Sequence, residues 1–364
     1  MTPRELPVRG YDAIEFWVGN ARQAAHWYRT AFGFSLVGYA GPETGVRDRA
    51  SYVLEQGDIR FVLTSGLRPD HRIVHHHARH GDGVRDVAFQ VSDVEEAFAM
   101  AVERGAPVHR EPEVREDEHG KVVVAAIATY GETIHSLVQR DDYGGVYLPG
   151  YQRQNQDLLT DGVGLERVDH VVSNVAPGEM EAWTEFYERV LGFSQLRHFT
   201  DEDIATDYTS LMSKVLWDGV GRIKLPINEP AEGRRRSQIE EYLDAYDGPG
   251  VQHLALATPD IVATVRAMRQ RGVGFLDVPT EYYDEARQRV GDVDESWSDL
   301  RELGILVDRD DEGYLLQIFT EPVQDRPTVF YEIIQRQGAQ GFGLGNFKAL
   351  FEAIERAQAR RGNL

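Results

Sequence analysis

Apolar residues along the chain follow two spacings that alternate in a fixed order. From Tyr11, apolar and polar residues alternate as in a half-buried strand. They then recur at every third or fourth position, the period of an amphipathic helix, up to an aromatic-Gly-Phe turn at residues 32–34. Further alternating runs with hairpin signals follow, such as SYVLEQGDIRFVLT from Ser51. This order predicts a βαβββ module.

The same order returns in the second half of the chain, and the residues themselves match. The segment from Tyr11 corresponds to VDHVVSNVAPGEMEAWTEFYERVLGFSQLRHF from Val168, and GDGVRDVAFQV corresponds to GPGVQHLALAT. Near the end of each half, TIHSLVQR (133–140) corresponds to VFYEIIQR (329–336). The module therefore occurs about four times. We predict an α+β fold with one half-barrel of tandem βαβββ modules in each half.

The two halves meet in a stretch rich in glycine, proline and polar residues. Residues 143–165 lack apolar periodicity and predict a linker. We place an N-terminal domain at residues 1–150 and a C-terminal domain at residues 151–364. The last segment, GFGLGNFKALFEAIERAQARRGNL from Gly341, predicts a glycine-rich turn and an amphipathic helix. We expect this helix to lie over the second half-barrel and to act as a lid.

Composition narrows the chemistry. The chain has no cysteine, which excludes disulfides, thiolate zinc sites and iron–sulfur clusters, so any metal must have nitrogen and oxygen ligands. A net charge of −21 argues against nucleic-acid or anionic-membrane partners. No apolar run approaches the roughly 20 residues that span a bilayer. The first residues lack the apolar stretch of a secretory signal, so we expect a cytoplasmic protein.

Aligning the repeats indicates which half holds a metal. Three aligned positions hold potential ligands in the second half, namely His170, His253 and Glu332. The first half has Ala13, Asp86 and Ser136 at these positions, in the same order. Two imidazoles and one carboxylate on one face, with other positions open, suit Fe(II) oxygen chemistry. A metal would also provide the partner that a charged Glu332 needs among apolar neighbours. We predict a metal in the second half, and a structural or subunit-contact role for the first.

Other candidate ligands are less favourable. Histidines cluster at one place in the first half, at His71, His75, His76, His77 and His80. Consecutive residues point in different directions and no carboxylate lies at ligand spacing among them, so the cluster predicts a polar surface helix or loop. Glu321, beside Pro322 at the end of a predicted strand, matches no ligand position in the repeat.

Long segments of the second half occur in a fixed order: KLPINEP, RSQIEEY, GVQHLAL, GYLLQIFTEPVQDRPTVFYEIIQR and GFGLGNFKALFEAIE. They resemble the 4-hydroxyphenylpyruvate dioxygenase family of the vicinal oxygen chelate superfamily, whose paired modules curl into a partly open barrel around a metal. The resemblance to the superfamily covers almost the whole chain. It implies one Fe(II) per subunit, bound by His170, His253 and Glu332.

The resemblance also implies a substrate pocket. Its polar residues near the keto acid and the phenol would be Ser213, Asn228, Gln238, Gln252 and Gln317, and its walls would be Pro226, Phe319, Phe342 and Phe347. A 4-hydroxyphenyl group is well bound by aromatic faces with an amide or hydroxyl at its far end. Alternatively, Phe342 and Phe347 could simply anchor the terminal helix, and Asn228 could be a turn residue.

The implied reaction converts 4-hydroxyphenylpyruvate and O₂ to homogentisate and CO₂ in tyrosine and phenylalanine catabolism. The sister family, 4-hydroxymandelate synthase, acts on the same substrate but hydroxylates the benzylic carbon. Pro226, Asn228 and Phe347 are the residue types of ring-hydroxylating members. A ring-cleaving extradiol dioxygenase and a metal-free binding protein are the remaining alternatives. We also expect a homo-oligomer, either a dimer or a tetramer.

Overall fold

The computed structural model describes residues 6–156, 161–199, 211–231 and 236–363. Parts of the predicted linker, and the first residues, which lack the apolar stretch of a secretory signal, lie outside these ranges. In the first half, the elements in chain order are β1 (Val8–Trp17), α1 (Ala21–Phe32), β2 (Ser35–Ala40), β3 (Arg49–Gln56), β4 (Ile59–Gly66), α2 (Arg72–His80), β5 (Gly83–Val91), α3 (Val94–Glu103), β6 (Val108–Asp117), β7 (Gly120–Ala128), β8 (Ile134–Gln139) and β9 (Gln152–Gln156).

The second half repeats this order with additional helices. Its elements are β10 (Arg167–Asn174), α4 (Met180–Leu191), β11 (Ser194–Phe199), β12 (Leu211–Trp217), β13 (Lys224–Pro230), α5 (Gln238–Tyr246), β14 (Gly250–Ala257), α6 (Ile261–Gln270), α7 (Tyr282–Val290), α8 (Trp297–Leu303), β15 (Leu306–Arg309), β16 (Tyr314–Phe319), β17 (Phe330–Gln337) and α9 (Phe347–Arg361). Helices α7 and α8 are an insertion that the repeat did not predict.

Each half forms one sheet, and the two sheets are connected alike. The strand orders are β6-β7-β8-β5-β1-β4-β3-β2-β9 and β11-β12-β13-β10-β14-β17-β16-β15. In both, the first strands of the two modules pair antiparallel, β1 with β5 and β10 with β14. The last strand of each module pairs parallel with its first. The predicted α+β fold of tandem βαβββ half-barrels is therefore confirmed.

The residue register supports the alignment of the repeats. Ala13 pairs with Ala88 in the first sheet, and His170 pairs with Ala255 at the corresponding place in the second. The domain boundary after residue 150 stays a prediction. Strand β9 pairs with β2, so residues 152–156 belong to the first sheet.

The turn after the first helix of each half has a local cause. Helix α1 begins after Asn20, whose side chain accepts a hydrogen bond from the Gln23 backbone N–H at 3.1 Å. It ends at Gly33, and α4 ends at Gly192, both with a φ of +74°. A left-handed conformation at this position favours glycine because a Cβ is disfavoured there. The repeated Gly-Phe turn is therefore a helix end that returns the chain to the sheet.

The two halves share one hydrophobic core. Residues of both halves, from Leu6 to Ile333, form a single buried cluster. Within it, the Tyr28 and Tyr331 hydroxyls are 2.6 Å apart, and the rings of Phe32 and Tyr331 lie 4.9 Å apart. Helix α1 of the first half therefore packs directly on β17 of the second. Among the described residues, every helix is too short or too polar to cross a membrane.

Candidate metal centre

Three neighbouring strands bring the predicted ligands together inside the second half-barrel. His170 lies on β10, His253 on β14 and Glu332 on β17, and one ligand atom of each lies within 4.8 Å of the others. The Glu332 Oε2 atom is 3.1 Å from His170 Nε2 and 3.5 Å from His253 Nε2. All three side chains are nearly or fully buried. That this group holds a metal stays a prediction, and its donor set is suited to one.

Hydrogen bonds on the far side of both rings fix their orientation. His170 Nδ1 lies 2.8 Å from Asp169 Oδ1, and His253 Nδ1 lies 2.9 Å from Gln252 Oε1. Because both oxygens are acceptors in this geometry, Nδ1 of each ring is a donor, and Nε2, on the side of Glu332, is the nitrogen left to bind a metal. This is the arrangement that metal-binding histidines adopt.

An arginine completes this support. Arg336 donates to Asp169 Oδ2 at 2.9 Å and to Oδ1 at 2.8 Å, and its other nitrogen donates to the Gly341 carbonyl at 2.7 Å. Burial opposes ionisation of Asp169, but the His170 hydrogen bond and the Arg336 charge hold its pKa well below the ordinary value. Sequence reasoning missed both residues, because adjacency to a ligand does not reveal a partner 167 positions away.

The electrostatics favour the ligand forms of the carboxylate and of one imidazole. Burial would raise the pKa of Glu332, but the charges and hydrogen bonds of the two histidines outweigh it and lower the pKa to about 2. Burial lowers the pKa of His253, and the bond to Glu332 only partly offsets this. For His170, the charge of Glu332 and the bond to Asp169 overcome burial and raise the pKa. At neutral pH, Glu332 is ionised and His253 is neutral, as metal binding requires.

The ligands open onto a mostly apolar cavity of about 80 Å³. Its wall includes eight further residues that sequence reasoning placed in the substrate pocket: Ser213, Pro226, Asn228, Gln238, Gln252, Phe319, Phe342 and Phe347. Alternation along β13 explains why Pro226 and Asn228 share a face, because positions two apart on a strand face the same side. The structure thus places all but one of the predicted site residues around one cavity.

The exception is Gln317, which does not line the cavity. It is on β16, two residues before the cavity residue Phe319, and is 1% exposed. Its Nε2 and Oε1 have no hydrogen-bond partner among the described residues. A Cβ at Gly343 would lie 2.6 Å from Gln317 Nε2, so only glycine allows the segment before α9 to approach this amide so closely. A buried amide without a partner is uncommon in native proteins.

Further residues of the cavity were not predicted. Phe330 stacks on the His253 ring at 4.7 Å, and Phe199 packs edge-on against Phe347 at 5.2 Å. The position of Phe330, two residues before Glu332 on the same strand, could have indicated it. Helix α9 contributes an apolar face at helical spacing: Phe347, Leu350, Phe351 and Ile354. The predicted terminal helix over the second half-barrel is confirmed, and Phe342 lies 5.1 Å from the His170 ring.

The rival candidates lie elsewhere. Glu321 is exposed and lies 3.7 Å from Arg360, away from the ligands. The interpretation of the histidine cluster as polar surface is wrong for His76 and His80, which α2 buries. A larger polar cleft of about 790 Å³ lies between the halves, lined by several arginines and by Asp169. The ligand triad faces the smaller cavity instead, so we place the chemistry there.

Comparison with known proteins identifies the family. Residues 10–130 and 167–318 match the Glyoxalase/Bleomycin resistance protein/Dioxygenase superfamily. A 4-hydroxyphenylpyruvate dioxygenase from Yarrowia lipolytica is 48% identical over 369 residues, covering 98% of this chain and 94% of the relative. One from Dictyostelium discoideum is 49% identical over 367 residues, covering 98% and 100%.

Solved structures extend the comparison. A variant of 4-hydroxymandelate synthase from Streptomyces coelicolor has a TM-score of 0.87 at 35% identity, covering 97% of this chain and 100% of the other. The Mn(II)-bound glyoxalase from Novosphingobium aromaticivorans, at 12% identity and a TM-score of 0.51, shares the fold alone. On the full-length identity to curated relatives, the chain belongs to the 4-hydroxyphenylpyruvate dioxygenase family.

Proposed function

We propose that this protein converts 4-hydroxyphenylpyruvate and O₂ to homogentisate and CO₂ in tyrosine and phenylalanine catabolism. One Fe(II) per subunit would be held by His170, His253 and Glu332. The juxtaposition of these side chains beside an aromatic cavity supports the proposal most directly. The identity of 48–49% to curated 4-hydroxyphenylpyruvate dioxygenases supports the choice of substrate.

The chain's own residues prepare a site for an anionic substrate. Two neutral imidazoles and one carboxylate leave a bound dication with net positive charge, which favours a chelating 2-oxo acid. When bound, Fe(II) would supply the O₂ chemistry of the reaction. Asp169 and Gln252 hold the imidazole Nδ1 protons and so keep each Nε2 directed at the metal position.

The cavity walls would orient the ring and exclude water. Phe319, Phe342 and Phe347 provide apolar faces against which an aromatic ring can pack. Ser213 and Asn228, paired across β12 and β13, place a hydroxyl and an amide at another part of the wall. Gln238, Gln252 and Gln317 are the further polar groups that we assign to the keto acid and the phenol.

Entry of substrate would require α9 to move. The cavity of about 80 Å³ is well below the roughly 300–1,000 Å³ of ordinary ligand pockets. The side chains that narrow it, Phe342 and Phe347, belong to the terminal segment. This supports a lid function for residues 341–364, which would close over bound substrate.

The main alternative reaction is that of 4-hydroxymandelate synthase, because the structure of a variant of that enzyme matches 97% of this chain. Its sequence identity of 35% is lower than the 48–49% to the dioxygenases. Pro226, Asn228 and Phe347 all line the cavity, where they can determine which carbon is hydroxylated. The two reactions release CO₂ alike and differ in the aromatic product.

The deciding experiment is anaerobic loading with Fe(II), followed by 4-hydroxyphenylpyruvate and O₂, with CO₂ quantified and the product identified by mass and chromatography. We expect stoichiometric CO₂ and homogentisate. Glu332→Gln should be inactive and Glu321→Gln, the exposed carboxylate, fully active. Absence of CO₂ would refute the function, and 4-hydroxymandelate would redirect it to the sister reaction. Binding of the keto acid that survives chelation of the metal would point to a metal-free binding protein.

The oligomeric state and the location stay predictions. We expect a homodimer or homotetramer in the cytoplasm, with the first half providing subunit contacts. Light scattering on the intact protein tests the assembly size. A monomer at micromolar concentration would contradict it.

A further inference from the structure

A second group of potential ligands lies in the first half, outside the centre described above. We propose that His76, His80 and Glu132 form a binding site for a borderline divalent cation, with Zn²⁺ the best match. One ligand atom of each residue lies within 4.8 Å of the others. Nothing in this inference depends on the iron site or on the dioxygenase reaction.

The spacing on α2 brings the two histidines to one face. Residues four apart on a helix are neighbours, and the His76 and His80 rings lie 4.5 Å apart. Glu132, in the turn between β7 and β8, reaches both rings. Its carboxylate oxygens lie 3.8 Å from His76 Nε2 and 3.5 Å from His80 Nε2. The three residues thus present two imidazole nitrogens and one carboxylate to a common point.

Burial without partners indicates that something is missing at this point. His76 is 4% exposed and His80 is 3% exposed. Both ring nitrogens of His76, and Nε2 of His80, are buried and have no hydrogen-bond partner among the described residues. Buried polar atoms without a partner are unfavourable and rare in native proteins. A metal ion would satisfy Nε2 of both rings at once.

The second nitrogen of His80 is already fixed in the way that metal ligands require. His80 Nδ1 hydrogen-bonds to the backbone carbonyl of Tyr246, which can only accept. Nδ1 therefore carries the proton, and the lone pair of Nε2 points toward Glu132. The Tyr246 carbonyl belongs to the second half, so the site lies where α2 and α5 meet.

Charge sets the class of ion and limits its affinity. Burial lowers the pKa of His76 to about 3, and the nearby charge of Arg85 adds to this effect, so this ring is neutral at physiological pH. Arg79 also lies nearby. It is paired with Asp247 and also with Glu132, whose Oε1 lies 3.6 Å from Arg79 Nη1. These cations oppose a dication, whereas Glu132 favours one. Two imidazoles and a carboxylate, with one side open through the partly exposed Glu132, match the coordination that zinc adopts with three protein ligands.

Helix α2 contacts the second half through the hydrogen bond between His80 and the Tyr246 carbonyl. Bound zinc would join α2 to the β7–β8 turn, because His76 and His80 lie on the helix and Glu132 lies in the turn. A cation shared by His76, His80 and Glu132 would rigidify this contact. We therefore expect Zn²⁺ to raise the unfolding temperature through this site as well as through the first centre.

The test is a titration of the metal-free, full-length protein with Co²⁺, followed by visible absorption, with Zn²⁺ competition and elemental analysis. We expect two equivalents per chain in the wild type. His76→Asn and Glu132→Gln should each bind the second equivalent at least tenfold more weakly. His75→Asn, the same change at the adjacent exposed position of α2, should bind two equivalents.

The reciprocal variant separates the two centres. Glu332→Ala lacks the carboxylate of the first centre and should still bind one equivalent at the second. Because Glu132 is partly exposed, Glu132→Gln is expected to fold even if His76→Asn does not. A wild type that binds one equivalent only, or a second equivalent unaffected by both His76→Asn and Glu132→Gln, overturns the proposal.

Discussion

The two half-barrels are connected in the same way but differ in what occupies their interiors. In the first, Tyr147 and Leu148 from the segment after β8 pack into the cluster that contains Ala13, the counterpart of His170. In the second, the segment after β17 places Phe342 and Phe347 around a cavity that contains the ligands. The first barrel is therefore filled by the segment after β8. The second barrel is covered by the segment after β17 and keeps a cavity.

One feature is common to both interiors. Arg140 donates to both carboxylate oxygens of Asp12 at 2.6 Å, at the positions that correspond to Arg336 and Asp169 in the second half. Only the second pair lies beside a histidine ligand. The ion pair is therefore retained where its partner ligand is absent, which shows that it also has a structural task.

The arginines of both pairs reach the segment that closes their barrel. Arg140 lies 5.4 Å from the ring centroid of Tyr147, and Arg336 lies 5.6 Å from that of Phe342. Each also donates to a carbonyl of that segment, at Tyr147 and at Gly341 respectively. The shared task is to hold the closing segment on the barrel. In the second half, the paired aspartate also hydrogen-bonds to the candidate ligand His170.

The largest contrast is expected at the aligned third ligand position. Glu332→Ala removes the carboxylate and should abolish iron-dependent turnover, because two imidazoles alone hold Fe(II) poorly. Ser136→Ala, the equivalent change in the first half, should leave turnover unchanged. Iron content and CO₂ release measure both. Loss of activity in Ser136→Ala would mean that the first interior takes part in the chemistry.

Removal of the closing segments should have the next largest effect. Truncation after Gln340 should reduce turnover by roughly 10²-fold or more, because the substrate loses its positioning walls. In the first half, Tyr147→Ala should instead cost about 3–5 kcal/mol of unfolding free energy, as for other large aromatic deletions, and leave turnover unchanged. Steady-state kinetics and urea unfolding separate the two outcomes. Full activity of the truncated chain would refute the lid.

The paired aspartates provide a finer comparison. Asp169→Asn should weaken metal binding by about 10–100-fold, as loss of a ligand's supporting hydrogen-bond partner typically does. Asp12→Asn should leave metal affinity unchanged, although both variants lose stability because an arginine is left buried without its partner. Co²⁺ titration measures the affinity and urea unfolding the stability. If Asp169→Asn and Asp12→Asn bound the metal with equal affinity, Asp169 would serve only to hold the closing segment.

The last comparison concerns the pH dependence of stability. Burial raises the pKa of Asp86 from 3.8 to about 7, against the hydrogen bonds of Ser136, whereas the histidines lower the pKa of Glu332 to about 2. Stability from protonated Asp86 is complete below pH 3.8 and is lost as pH rises to about 7. Stability from ionised Glu332 is complete above about pH 4.5 and is lost as pH falls through 2.

Asp86→Asn removes the first dependence. The variant should gain unfolding free energy over the wild type as pH rises from 4 to 7, with a plateau above, by up to about 1.4 kcal/mol per pKa unit. Urea unfolding across this range in the metal-free protein provides the measurement. A difference that does not change with pH would show that Asp86 is ionised throughout.

The fold was predictable because it is repeated. Alternation and helical spacing indicate each module, and matching segments in the two halves strengthen assignments that one copy would leave weak. The grouping of His170, His253 and Glu332 was predictable for a related reason, since the aligned positions Ala13, Asp86 and Ser136 lack this set of side chains. The predictions for individual residues such as Asn228 and Gln317 came from the family resemblance and not from spacing.

What was missed depends on contacts between distant segments. The bond of Arg336 to Asp169 and the filling of the first barrel by Tyr147 join residues whose patterns do not refer to one another. The approach of Glu132 to His76 and His80 is of the same kind, because the carboxylate comes from a turn 52 or more positions away (132 − 80). Helices α7 and α8 lie in an insertion for which the first half has no counterpart.

The hydrogen bond between Tyr28 and Tyr331 has a consequence for the evolution of a duplicated chain. Tyr331 directly precedes Glu332, so the strand that carries the carboxylate rests on a helix of the other half. After a duplication, one copy can lack metal ligands while its surface still supports the other copy by packing against it. Deletion of that copy would expose the aromatic core that packs against β17, the strand that carries Glu332. The half without the triad is therefore retained for as long as the other half works.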